Sequence, residues 1–228
     1  MKIEIINKPE LSTGLTVVID VFRAFTVEPY LFRNGVEKII PVGDVESAYK
    51  YKEKYNDCIL IGERRGIKLP GFDYGNSPSQ IENVNFTGKV VIDTTSCGTQ
   101  GIVKSINAKE IITGSLVNVH AIVKYLKQRH VKDVFLLALA KPGMQPFDED
   151  LLCAKYIKNL LEGKSVNDVY KKIEELKYTT GAKFFDKLKQ RDFPQKDSYL
   201  CTEINKFNFI LRTRIDEGGN LCIEKADV

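Results

Sequence analysis

Histidine is almost absent from this chain: its 228 residues hold only His120 and His130, in or just after one amphipathic stretch. A histidine metal site or a Ser-His-Asp triad therefore has little to be built from. The five cysteines, Cys58, Cys97, Cys153, Cys201 and Cys222, are odd in number, widely spaced and free of the CxxC spacing that zinc and redox motifs use, and read as mostly buried thiols. No apolar run approaches the roughly 20 residues of a membrane helix, and the opening MKIEIINKPE lacks the charged-then-apolar pattern of a signal peptide, so no membrane association and a cytoplasmic location are expected. Neither a GxGxxG fingerprint nor a GxxxxGK(S/T) loop occurs, which weakens dinucleotide and P-loop readings. Charge of one sign is not concentrated either. A net +4 with evenly spread Lys and Arg argues against nucleic acid as a partner and leaves anionic small molecules open.

What is present is an ordinary globular composition, 43% hydrophobic and 28% charged, enough to bury the core of one domain over residues 1–228. Short apolar runs at 2–6, 16–20, 38–42, 58–61, 89–93, 110–113 and 133–140 read as strands, several buried on both faces. Helical patterns fit between them: 24–34 closed by Gly35, 45–55 capped by Asp44, and 116–129 after Ser115 with Leu116, Val119, Val123 and Leu126 on one face. This alternation predicts an α/β fold, a largely parallel or mixed sheet flanked by helices. Beyond Asp148 the pattern turns more helical, at 149–161, 165–176 and 181–190, before strands at 207–212 and 221–225; a change of subdomain near 141–150 would fit, giving two α/β subdomains.

The segment 62–78, GERRGIKLPGFDYGNSP, mixes charged and polar residues with four glycines and two prolines. It reads as a folded, ligand-facing loop rather than a core strand, being longer than an ordinary connection of about two to six residues. In an open parallel sheet ligands bind at the carboxyl edge, so polar residues directly after apolar runs are the ones to collect. They fall in DVFRAFT (20–26), the 62–78 segment, DTTSCGTQ (93–100) and KPGMQPFDED (141–150). Asp20, Glu63, Asp73, Asp93, Glu149 and Asp150 supply hard oxygen donors, and Arg23, Arg64, Arg65 and Lys68 supply cations. That mixture suits magnesium with an anionic substrate. The two-Asp signature of aspartyl-phosphate enzymes is missing, because Val21 and Phe22 follow Asp20, and Cys97 lacks an Arg six positions on, so it is no phosphatase nucleophile of the cysteine type.

At these residues the chain resembles the 2-phosphosulfolactate phosphatases of the ComB type. The likeness rests on VVIDVFRAFT (17–26), the highly specific block at 62–78, TTSCGT (94–99), GSLVN (114–118) and EDLLCA (149–154), and spans most of the chain. It implies magnesium-dependent hydrolysis of 2-phosphosulfolactate, a small anionic phosphate ester, to 3-sulfolactate and phosphate on the coenzyme M route, by an α/β protein that is a homodimer. The expected catalytic set is Asp20, Arg23, Glu63 and Arg64. Arg65, Lys68, Asn76, Ser77, Thr95, Gly98 and Thr99 would bind substrate, and Asp20, Asp73, Glu149 and Asp150 would hold the metal. The chain departs from the usual family pattern at Cys97, Gln100 and Lys155. The changes at Cys97 and Gln100 favour a rival expectation, a non-catalytic binder of a phosphorylated or sulfonated metabolite, and a magnesium-dependent isomerase or lyase would use the same pocket without releasing phosphate.

Overall fold

A computed structural model describes residues 1–55, 57–141 and 143–228; Pro142 of the 141–150 segment lies outside them. Ten strands form one mixed sheet in the order β1 (Lys2–Ile6), β8 (Asp133–Ala138), β2 (Leu15–Ile19), β7 (Glu110–Gly114), β9 (Phe209–Ile215), β10 (Leu221–Asp227), β3 (Lys38–Pro41), β6 (Val90–Thr94), β4 (Ile59–Arg64), β5 (Ile67–Lys68). Two parallel blocks, β1-β8-β2-β7 and β3-β6-β4, are joined by the antiparallel β9–β10 hairpin, which pairs with β7 on one side and β3 on the other. The expected α/β class is therefore present.

The helices cover the sheet in layers. Val17 and Ile19 of β2 face a core built with α5 (Val119–Gln128), α6 (Asp148–Leu161) and α7 (Val169–Glu175). Val18, between them in sequence, faces the opposite core with α1 (Ala24–Arg33), α4 (Gly98–Lys104), Ile39, Ile61 and Val91. Residues of α2 (Val45–Lys54) close the outer face of the second block. This is the strand period of two expressed as two cores, and it explains why Leu15–Ile19 is buried at every position. Five strand-to-strand steps separate β2 from β6. A twist of roughly 20–25° per step turns the blocks by roughly 100–125° relative to each other, which lets carboxyl ends of strands running in opposite senses approach one place.

Two local expectations are corrected and one unexpected helix is added. The polar 62–78 segment is not loop throughout, because β4 runs on through Gly62 and Glu63 to Arg64 and turns back as β5. Gly62 serves close packing here: a Cβ would lie 2.5 Å from the Thr94 carbonyl oxygen and 2.8 Å from the Phe72 ring. The helix expected at 181–190 is two 3-10 turns, Ala182–Phe184 and Lys187–Lys189. One helix escaped notice, α8 (Gln195–Thr202), whose sequence QKDSYLCT has no clear apolar stripe.

Candidate active site

The chain leaves β2 at Ile19 and enters α1 within a few residues, so Asp20 is fixed where strand becomes helix. Its Oδ1 accepts the Ala24 N–H at 3.1 Å and its backbone carbonyl accepts the Phe25 N–H at 3.1 Å. The next peptide ties in α6, because Val21 N–H donates to Asp150 Oδ1 at 2.8 Å. Glu149 is buried beside it, and its Oε2 has no hydrogen-bond partner among the described residues. From the other block, Glu63 on β4 accepts from Ser96 N–H at 2.7 Å, Ser96 Oγ at 3.0 Å and Gly66 N–H at 2.5 Å, which fastens the β4–β5 turn to the loop after β6.

These acids border one cavity of about 530 Å³. Asp20, Glu63, Glu149 and Asp150 lie on it together with Arg23, Arg65, Lys141 and Lys183; Asn76, Ser96 and Cys97 add polar groups, and Phe22, Phe147 and Phe193 add apolar wall. Another hollow of about 560 Å³, around Lys38, Asp57 and Asp216, sits at the amino ends of β3, β4 and β6, and its Lys38–Asp216 pair is already closed at 2.7 Å. Crowding of acids in the first cavity has an electrostatic signature. Burial, then the charges of Glu63 and Glu149, pushes the Asp20 carboxyl up to about 7. Asp150 is held well above the ordinary carboxylate range by burial and by Glu149 and Asp20, and burial also raises Glu149. Asp93, behind the cavity, is pushed up to about 8 by burial and by Glu63 and Asp20. Burial pushes the Cys97 thiol up to about 12, in keeping with its exclusion as a nucleophile.

Of the residues expected in the site, Asp20, Arg23, Glu63, Arg65, Asn76, Glu149 and Asp150 line the cavity. Thr95, Gly98 and Thr99 lie just behind, at the start of α4. There the Thr99 N–H donates to Thr95 Oγ1 at 3.0 Å and the Thr95 N–H to Thr99 Oγ1 at 2.9 Å, so these hydroxyls brace the turn. Four residues are placed elsewhere. Arg64 follows Glu63 in a strand, so it faces the other side, and its guanidinium donates to the Glu63 and Thr94 carbonyls and to Thr94 Oγ1. Lys68 Nζ donates to the Phe72 carbonyl at 3.1 Å. Asp73 accepts the Leu60 N–H at 2.8 Å and lies outside the cavity, which removes it from the metal set. Ser77 donates to Asp197 Oδ1 at 3.0 Å.

Arg23 also needs correction as a free phosphate neutraliser. It is almost wholly buried and its charge is offset by Asp197 at 2.7 Å, with further bonds to the Asp192 and Gly66 carbonyls at 2.9 and 3.0 Å. Asp197 was missed because α8 was missed. Lys183 and Phe193 were missed because no strand end announces them, whereas Ser96, Lys141 and Phe147 stood in collected segments without being chosen.

Gly98 makes a direct test of this packing. A Cβ there would sit 2.7 Å from Ala24 Cβ and 3.0 Å from Asp20 Oδ2. Gly98→Ala should cost about 1–3 kcal/mol by overpacking and displace Asp20. The expected result is a lower Tm together with a loss of activity larger than the loss of folded protein; an unchanged enzyme would show that α4 and α1 yield freely.

Comparison with known proteins places this site in context. The family model described as 2-phosphosulpholactate phosphatase matches residues 2–215. A protein of Bacillus subtilis named probable 2-phosphosulfolactate phosphatase is 32% identical over 203 residues, covering 89% of this chain and 88% of that one. Proteins of the same name from Thermoplasma acidophilum and Clostridium acetobutylicum are 37% and 31% identical over 173 and 209 residues, covering 75% and 86% of this chain and 76% and 88% of theirs. An α/β sheet with acids and cations gathered at its strand ends is, in this company, a phosphoric monoester hydrolase. The chain belongs to the 2-phosphosulpholactate phosphatase family.

Proposed function

We propose that this chain is a magnesium-dependent phosphatase that hydrolyses 2-phosphosulfolactate to 3-sulfolactate and inorganic phosphate. The observation that carries the reading is the convergence of Asp20, Glu63, Glu149 and Asp150 with Arg65, Lys141 and Lys183 on one cavity, in a member of a family whose relatives bear that name.

Magnesium fits the donors. They are all oxygen, burial disfavours their charged forms until a cation offsets them, and Glu149 Oε2 is buried without a partner. Among the described residues no group of three or more histidines, cysteines or acids is gathered closely enough to hold a metal ion. Magnesium keeps several of its waters and needs only one or two carboxylates. Glu149 Oε2 and the Asp20 oxygen not engaged by the Ala24 N–H would hold it, with Asp150, whose Oδ1 is bound to the Val21 N–H, beside them. Bound there, magnesium would supply charge that offsets the oxygens of the transferred phosphoryl group. Arg65 and Lys141 would draw the anionic substrate in, Glu63 would keep the β4–β5 turn closed on the loop after β6, and Phe22 and Phe147 would thin the water around the reacting group.

The rival binder reading loses one of its two supports, Gln100. Gln100 is spent on a bond to the Gly43 carbonyl, and Lys155 borders a groove between α6 and α7; only Cys97 of the three departures touches the cavity. The test is inorganic phosphate release from 2-phosphosulfolactate and a panel of small phosphate esters. Release should require magnesium, fall to background in EDTA and return when magnesium is restored. Conversion of the substrate without free phosphate would identify a lyase or isomerase, and ligand-induced thermal stabilisation without turnover would identify a binder.

A further inference from the structure

The segment between α7 and α8 brings to the cavity a cation that no strand end supplies. Lys183, on the Ala182–Phe184 turn, has its ammonium 5.8 Å from the centre of the Phe22 ring, 5.3 Å from Phe184 and 5.6 Å from Phe193. Aromatic faces hold a lysine in place without cancelling its charge as a carboxylate would. No acid among the described residues forms an ion pair with it, although its charge reaches Asp20, Glu149 and Asp150 and offsets a small part of the rise that burial imposes on all three.

Arg23 lies against two of the same rings, 5.7 Å from Phe184 and 5.0 Å from Phe193. Two cations sharing a partly dry wall repel each other unless something negative intervenes. Asp197 pairs with Arg23, and no acid among the described residues forms such a pair with Lys183. Phe193 in turn is pressed onto the β4–β5 turn, where a Cβ on Gly66 would lie 2.3 Å from its ring. The wall is therefore fixed to the part of the cavity that Glu63 organises.

We propose that Lys183 is a specificity-determining residue: with Arg23 behind it, it binds the acid group of the substrate that is not transferred, a carboxylate or sulfonate on a short carbon skeleton lying against Phe22 and Phe193. This rests on the phosphatase reading of the same cavity. The phosphoryl group has to meet its metal and its attacking group at the strand ends, beside Asp20 and Glu149. The phenylalanine wall offers nothing for proton transfer, but it suits the carbon skeleton and its anionic end.

Calorimetric titration of the intact protein in magnesium buffer with 3-sulfolactate, and separately with inorganic phosphate, tests the assignment. Lys183→Met keeps the stem against the rings and removes the charge. It should weaken 3-sulfolactate by roughly tenfold to a hundredfold, the range of one charge-assisted contact, with a much smaller effect on phosphate. Lys183→Arg should recover most of the lost affinity, which a merely structural role would not require. Titration of wild type with malate, which replaces the sulfonate by a second carboxylate, shows which acid group is preferred. Unchanged 3-sulfolactate affinity in Lys183→Met, no 3-sulfolactate binding by wild type, or equal weakening of phosphate would each overturn the proposal. Phosphate release by wild type is assayed alongside: its absence would remove the phosphatase reading, whereas a charge-dependent 3-sulfolactate site would still stand.

Discussion

Asp20→Asn should fold normally and lose turnover by roughly 10³-fold or more, because a metal's stabilisation of transition-state charge is worth several kcal/mol and each 1.36 kcal/mol is tenfold in rate. The substitution keeps the side-chain oxygen that accepts the Ala24 N–H, so the start of α1 need not change. The loss should appear as weaker magnesium activation as well as lower kcat; near-wild-type turnover in saturating magnesium would take Asp20 out of the chemistry.

The same variant carries a stability signature of opposite sign. In metal-free protein the Asp20 carboxyl is raised from its ordinary value of 3.8 to about 7, first by burial. Below the ordinary value the folded and unfolded chains both hold the proton, and the group costs nothing. Between the two values the unfolded chain has released its proton while the folded chain retains it, so stability falls as pH rises, and the loss is complete above the raised value. Asparagine does not titrate, and it also relieves the repulsion felt by Asp150. In EDTA, therefore, the Tm of Asp20→Asn minus that of wild type should grow from pH 5 to pH 8 and then level off. A variant less stable than wild type at pH 8 would mean that the acid cluster is not under the strain its burial implies.

How much of this was legible beforehand follows from where each residue sits. Asp20, Glu149 and Asp150 could be found because an acid directly after an apolar run, or opening a helix after one, marks a strand's carboxyl end, and that edge is where the cavity lies. Glu63 and Arg64 looked equivalent in the sequence, but strand alternation sends neighbours to opposite faces and makes only the first a cavity residue. Asp73 looked like a ligand because it stood in a polar block; the segment after β5 returns along β4 and instead spends it on the Leu60 N–H. The twist of the sheet, which joins the two parallel blocks at one site, leaves no mark in local periodicity. Nor does the partnership of Arg23 with Asp197, two residues 174 positions apart.

That partnership supports the second large expectation. Asp197 is fully buried and accepts from Arg23 at 2.7 Å, from Ser77 Oγ at 3.0 Å and from Ser79 N–H at 3.0 Å. One carboxylate thus joins the VFRAFT stretch, the GNSP stretch and α8. Asp197→Ala would leave a buried guanidinium without its counter-charge, a loss of about 3–5 kcal/mol, which for a chain of this size is a fall in Tm of roughly 6–20 °C. Loss of packing alone would destabilise as well, so the double variant R23M/D197N separates the causes. It removes both charges and keeps an oxygen for Ser77 and Ser79, and should regain most of the lost Tm because no unpaired charge remains. Turnover should stay low in the double variant, since the cavity has lost the guanidinium that backs Lys183. Recovery of both stability and turnover would show that Arg23 and Asp197 are only a structural clasp. If Asp197→Ala melted with the wild type, the pair would not be holding α8 to the strand ends at all.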